Sequence, residues 1–273
     1  MRRPMPQESP VNDARIASWI ERFGGYRREV GQPEIEAWLR QFRDNRDVGA
    51  RLLDATEFLT RNDLEVAFRE VLGRLPGWSA KETERSGRWF FVSFSASAGE
   101  SGDSMVHVFR VANQLTHRRF NANFVYKSDL PSLRPGGEDT VIFIDDLSGT
   151  GDQAIRAWEE NLQELLPERP RVILVVAVAG WKAVERIQER TELELWAHQR
   201  LEREDDLFGP ECQHFSSTEK EAVLALCRRA SRAMPKGYGD CGWLLVFQHR
   251  CPNNSVAVLH SSSSRFTGLF PRD

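Results

Sequence analysis

Val141–Ile155 reads VIFIDDLSGTGDQAI, and the rest of the chain can be read outward from it. Val141 to Ile144 are apolar and run into two carboxylates, Asp145 and Asp146. An unbroken apolar run suits a strand buried on both faces, as in a parallel sheet. Two adjacent Asp cannot both be buried cheaply, so the strand is expected to end at them, where water or a ligand begins. In open α/β sheets, ligands bind beyond the carboxyl ends of the strands. Ser148, Gly149, Thr150 and Gly151 are small enough to turn backbone N–H groups toward an anion, and the helix start at Asp152 adds its dipole. The stretch therefore offers carboxylates for a diol or a metal ion beside a cradle for a phosphate.

The flanking sequence repeats the alternation of strand and helix. Trp89–Phe94 is an aromatic and β-branched run that reads as a strand. A loop of small residues follows, then an amphipathic helix from Met105 to Leu115, then a second strand at Phe120–Tyr126. Downstream of the central stretch, Ala154–Leu166 reads as a helix and Val172–Ala179 as another wholly apolar strand. A helix over 182–190 and a strand at Leu193–Ala197 complete the series. This order predicts an α/β fold with a mainly parallel sheet. Beyond it lie an acidic link (202–215), a helix from Ser217 to about Ala233 with a capping signal, and a last apolar strand at Trp243–Phe247.

Upstream, residues 13–78 carry helical apolar stripes throughout, such as Ile16, Trp19, Ile20 and Phe23, then Ile35, Trp38, Leu39 and Phe42. The expected organisation is a flexible tail (1–12), a small all-helical domain (13–78) and an α/β domain (79–273). Residues 1–78 contain 13 Arg and no Lys against 13 acidic residues. That balance lacks the basic excess of a typical nucleic-acid reader and favours a packing or partner-docking role.

The 273 residues carry a net charge of −3 and ordinary hydrophobic content, 40%. No apolar run approaches the roughly 18 residues needed to cross a membrane, and the N-terminus lacks the apolar core of a secretory signal. A cytoplasmic location is expected. The four cysteines form no CxxC, so reduced thiols are expected. Cys212 with His214, and His249 with Cys251, would supply zinc ligands if the two segments met; ordinary packing roles are the alternative.

The strand, the acidic pair, the small-residue loop and the helix resemble the signature of type I phosphoribosyltransferases. Laid on that pattern, Asp145 and Asp146 are its acidic pair, Thr150 its second Thr-like position and Gly151 its glycine. Gly149 and Gln153 stand where the pattern has hydroxyls. The combination of IDDLSGTG, GYGD at 237–240, CPNN at 251–254 and the terminal LFPR is similar to phosphoribosyltransferase-like proteins of bacterial conflict systems. Those proteins occur beside retron reverse transcriptases and other antiphage modules, behind a helical or winged-helix region.

The resemblance implies a ligand that is a nucleotide or phosphoribosyl pyrophosphate. The catalytic carboxylates would be Asp145 and Asp146, with Ser148, Gly149, Thr150, Gly151 and Asp152 around the ribose phosphate. Carboxylates accept from the ribose 2′ and 3′ hydroxyls, and loop N–H groups and the Thr150 hydroxyl suit a 5′-phosphate. Gly99, Glu100, Ser101, Gly102, Asp103 and Ser104 would be the pyrophosphate and metal loop, with Mg²⁺ held mainly by pyrophosphate and water and touching Asp145 and Asp146. Trp181 and Tyr238 are candidate base contacts. Two functional classes follow: an enzyme acting at C1′, as a glycosyltransferase or an N-glycosidic hydrolase, or a catalytically inactive nucleotide-binding module. Docking of the N-terminal domain on a complex of reverse transcriptase, non-coding RNA and DNA is the partner this resemblance suggests. Oligomeric state is left open, and no membrane partner is expected.

Overall fold

The computed structural model describes residues 10–94 and 102–272. The first elements are α1 (Asp13–Phe23), α2 (Gln32–Arg40), α3 (Arg46–Ala55), β1 (Glu57–Leu59) and α4 (Arg61–Arg74). Then come β2 (Trp89–Ser93), α5 (Gly102–Ala112), α6 (Leu130–Leu133), β3 (Thr140–Ser148), α7 (Asp152–Ala157) and α8 (Gln163–Leu165). The chain closes with β4 (Arg171–Gly180), α9 (Trp181–Arg190), β5 (Glu194–Leu201), α10 (Ser217–Ala230), β6 (Leu245–Phe247) and α11 (Ala257–His260). A π-helical turn, Trp158–Leu162, joins α7 to α8 within what the sequence pattern predicts as one helix. The fold is α/β with parallel sheets, and a helical region precedes the main sheet in the chain.

Two compact units form, one from the chain through Arg61 together with Glu202 onward, the other Asn62–Leu201. Neither junction falls at residue 78, where a boundary was expected. The reason lies in what the helical stripes bury. Trp19 and Phe23 of α1, Trp38 and Leu39 of α2 and Leu53 of α3 share one core with Val223 and Cys227 of α10, Val246 of β6, Val258 of α11 and Phe270. The Trp38 indole Nε1 donates to the Val258 carbonyl at 2.8 Å, and the Tyr26 hydroxyl donates to the Pro271 carbonyl at 2.7 Å. The apolar faces of α1–α3 are thus used within the chain, and α4 belongs to the other unit. β1 pairs in parallel with β6, Phe58 opposite Val246. This strand lies in a region expected to be all helical, because only its distant partner makes three residues a strand.

The second unit holds a four-stranded parallel sheet in the order β2-β3-β4-β5. The run Val141–Ile144 is fully buried, as its composition requires of an interior strand. On one face, Phe90, Val141, Phe143, Leu174 and Val176 pack with Ala154, Ile155 and Trp158 and with Ala183 and Ile187 of α9. On the other, the Phe91 ring meets Phe109 of α5, which meets Phe68 of α4, at centroid distances of 5.1 and 5.7 Å.

The strand expected at Phe120–Tyr126 is not formed. Arg118–Asn123 is a 3-10 helix, and Phe124 makes a single parallel bridge to Phe91, with the Val125 N–H donating to the Phe91 carbonyl at 3.2 Å. The Phe124 ring still packs against Phe91, 5.0 Å between centroids. Charged and amide residues at 118, 119, 121 and 123 give the segment only one buried residue, Phe120, and too little apolar alternation for a longer strand. The bridge nevertheless fixes the topology. From β2 the chain passes through α5 to one edge of β2, then returns to form β3 on the other.

Candidate functional site

That return places the reversal of strand order between β2 and β3. In open α/β sheets a crevice opens outside the carboxyl ends of the strands at such a reversal. The carboxyl end of β3 carries the acidic pair.

The strand does not stop at the acids. It continues to Ser148, with Asp145 opposite Val176 and Ser148 opposite Ala179 on β4. Successive side chains of a strand point to opposite faces, and the pair accordingly divides: Asp145 is buried and Asp146 half-buried. The Asp146 N–H donates to Asp145 Oδ1 at 2.9 Å. This charge-assisted hydrogen bond offsets part of the cost of burying Asp145, which is why a carboxylate can sit inside the ladder.

Past Ser148 the chain turns sharply. Gly151 has φ of +79°, in the left-handed region, and a Cβ there would lie 3.1 Å from Ile187 Cγ1 and 3.3 Å from Ala183 Cα. Only glycine meets both demands. The turn is tied down from within. The Thr150 hydroxyl donates to Asp152 Oδ2 at 2.8 Å, and Thr150 is buried. Arg186, on α9, donates from Nη1 to the Thr150 carbonyl at 2.8 Å and pairs through Nη2 with Asp152 Oδ1 at 2.6 Å. The loop from Ser148 to Asp152 is therefore a rigid, pre-set turn, with a guanidinium beside it that offsets the Asp152 charge.

Asp145, Asp146, Ser148, Gly149, Thr150, Gly151 and Asp152 are all brought to one end of one strand. Gly102, Asp103 and Ser104 form the first turn of α5, and the Asp103 and Ser104 side chains are exposed. Gly99, Glu100 and Ser101 lie outside the described residues. Trp181 opens α9 directly after the carboxyl end of β4, partly exposed, with Lys182 Nζ 5.5 Å from its ring centroid. Tyr238 belongs to the other compact unit. There it sits on an exposed 3-10 turn whose backbone is held by Asn253 and Asn254.

Two basic residues near the strand ends escape a reading of local pattern. Arg186 reads as one more charge on an amphipathic helix; its sign and its α9 placement opposite Asp152 were the only cues. Lys127 follows the shortened segment at 118–126. Its Nζ lies 5.7 Å from the Phe94 ring centroid and 5.9 Å from that of Phe143, the residues that continue β2 and occupy mid-β3.

Among the described residues no group of three or more His, Cys, Asp or Glu is arranged to hold a metal ion. The zinc arrangement of Cys212, His214, His249 and Cys251 is therefore not formed. Both thiols are free and buried, and burial pushes Cys251 up to about 12, far from the thiolate a metal needs. For Mg²⁺ the donor chemistry at the β3 end is suitable in kind, because Mg²⁺ is commonly held by one or two carboxylates with phosphate oxygens and water. Asp145 and Asp146 would supply the carboxylates.

The parallel sheet, the reversal between β2 and β3, the acidic pair and the turn behind it define a phosphoribosyltransferase-like protein. The chain belongs to the family described as PRTase-CE, whose model matches residues 35–272. The match runs through both compact units, from α2 to the C-terminal segment. No curated protein matches the chain. Among the described residues no helix is long and apolar enough to cross a membrane.

Proposed function

We propose that the protein binds a ribose 5-phosphate compound, a nucleotide or phosphoribosyl pyrophosphate, at the carboxyl end of β3 and acts at its C1′ carbon with Mg²⁺. The observation that carries the proposal is the division of labour at 145–152. A half-buried carboxylate, Asp146, stands beside a rigid turn of small residues. Asp146 would accept from the ribose hydroxyls, and the buried Asp145 would hold its backbone. The N–H groups after Gly149 would receive the 5′-phosphate, with Arg186 keeping the Asp152 carboxylate from repelling it. Positive charge developing at C1′ would be stabilised by the carboxylate pair. Bound Mg²⁺ would neutralise the pyrophosphate leaving group.

A second reading is favoured by the state of the loop itself. Of the two hydroxyls in the turn, that of Thr150 is already donated to Asp152 and that of Ser148 belongs to a buried residue, while Gly149 offers none. A pocket that senses a nucleotide without turning it over needs less transition-state contact than a transferase. In either case the resemblance of IDDLSGTG, GYGD, CPNN and LFPR to conflict-system proteins supports a role as an antiphage effector, in the cytoplasm and beside a retron-type reverse transcriptase.

Nucleotide metabolite profiling of cells with and without the protein tests the enzymatic reading. A pool depleted by the wild type and restored by Asp146→Asn supports catalysis. Unchanged pools, with nucleotide binding retained by the purified protein, support the sensing module.

A further inference from the structure

The unit built from the two ends of the chain carries a second, unrelated basic feature. The C-terminal segment separates its charges along the sequence. Residues 202–221 hold seven acids against two bases, whereas residues 222–272 hold seven bases against one acid, Asp240. Four of those bases, Arg228, Arg229, Arg232 and Arg265, line one concave pocket of about 640 Å³ together with Ser263 and Ser264.

The pocket is built, not incidental. Arg229 Nη2 donates to the Arg265 carbonyl at 3.0 Å, and the Ser263 hydroxyl donates back to the Arg229 carbonyl at 2.7 Å. Ser263 Oγ also accepts from the Arg265 N–H at 3.0 Å, and the Ser263 N–H donates to the Phe266 carbonyl at 2.8 Å. The tight turn at 263–266 is thereby fixed to the end of α10. Arg228 and Arg229 sit in the last turn of that helix, where a cation is favoured by the helix dipole. That accounts for two of the four. Arg232 and Arg265 lie beyond the helix. Among the described residues none of the four guanidinium groups is paired with a carboxylate.

Four like charges lining one cavity repel one another, and a bound anion would relieve that repulsion. The lining is Arg, Ser, Ala and Pro, with no aromatic side chain on which a base could stack. Guanidinium forks and serine hydroxyls match phosphate oxygens. We propose that this pocket binds the linked phosphates of a small molecule, an inorganic oligophosphate or the polyphosphate tail of a nucleotide, at a site separate from the β3 site. A cavity confined to a few residues favours a compact ligand over a nucleic-acid backbone, which needs an extended basic track.

The test is titration calorimetry of the full chain with inorganic tripolyphosphate, without Mg²⁺, against the double variant Arg232→Ser/Arg265→Ser. Both positions are exposed, so the variant folds, and its melting curve without ligand confirms this. Tripolyphosphate should bind the wild type, and the double variant should lose roughly a hundredfold in affinity, the scale of two charge-assisted contacts. Asp146→Asn should bind tripolyphosphate as the wild type does, which separates this site from the one at β3. A parallel titration with adenosine triphosphate decides whether the tail of a nucleotide is accepted as well as the inorganic chain. Equal tripolyphosphate binding by wild type and double variant would overturn the proposal. So would equal binding of sulfate at matched ionic strength, or binding of a single-stranded oligonucleotide with none of tripolyphosphate.

Discussion

Arg186 Nη2 lies 2.6 Å from Asp152 Oδ1 and joins α9 to the first residue of α7. The same guanidinium holds the Thr150 carbonyl, so one side chain spans the turn that follows the acidic pair. Both partners of the ion pair are about a third exposed, so its contribution to stability is small, about 1 kcal/mol or less. Its effect on the phosphate proposed for the turn should be larger, because Arg186 is the cation that offsets the Asp152 charge there. Arg186→Met should leave the melting temperature nearly unchanged and weaken binding of a ribose 5-phosphate compound roughly tenfold. Asp152→Asn in the same chain should recover part of that loss. A double-mutant cycle by calorimetry reads both effects.

Gly151→Ala should be costly at a single methyl group. The left-handed φ and the approach to Ile187 and Ala183 act together. A loss of about 1–3 kcal/mol in urea unfolding is expected. A neutral Gly151→Ala would mean that the turn relaxes freely and is not pre-set.

The core shared by the two ends of the chain makes a different prediction. Arg15 and Asp54 form a buried ion pair at 2.5 Å, and the Trp19 indole N–H donates to the same carboxylate at 2.8 Å. Asp54→Ala leaves Arg15 buried without that partner, a change that costs about 3–5 kcal/mol. Because α1–α3 and the C-terminal segment belong to one compact unit, the tertiary signal of buried Trp243 should be lost at the same lowered denaturant midpoint as that of Trp19. Separate midpoints would show an N-terminal region that folds by itself.

His260 supplies a pH dependence. Burial, chiefly, holds its imidazole down at about 4, against an ordinary value of 6.5, and its Nε2 lies 3.1 Å from the Ser255 carbonyl. The unfolded chain takes up this proton near pH 6.5 and the folded chain only near pH 4. Between those values the unfolded state binds more protons, so stability falls as pH falls, by roughly 3 kcal/mol in total, and is little affected above pH 7. His260→Gln should flatten that part of the stability profile. An identical slope in the variant would assign the acid sensitivity to other groups.

Much of this architecture is legible in the sequence. Val141–Ile144 and Val172–Ala179 are interior strands because unbroken apolar runs have no solvent face, and the acidic pair marks the carboxyl end because two carboxylates demand polar surroundings. What local pattern could not show was anything decided by a distant partner. β1 is a strand only through β6, and Phe120–Tyr126, with too little apolar alternation to continue, makes only a single bridge to Phe91 at the sheet edge. Asp145 remains in the ladder because its neighbour's N–H is at hand. Arg186 reaches the turn from α9, and no spacing within that helix announces it. The two compact units divide at residues 61–62 and 201–202 for the same reason, since apolar stripes at 13–55 show that something is buried but not against what.

The measurement closest to the central claim is titration of phosphoribosyl pyrophosphate with Mg²⁺ into the wild-type chain and into Asp146→Asn. The half-buried carboxylate at the end of β3 is predicted to carry the ribose contact. The wild type should bind one ligand per chain, and the variant, with an unchanged melting temperature, should bind at least roughly tenfold more weakly, the loss of one charge-assisted hydrogen bond or more. Equal affinity in a folded Asp146→Asn chain would contradict the account.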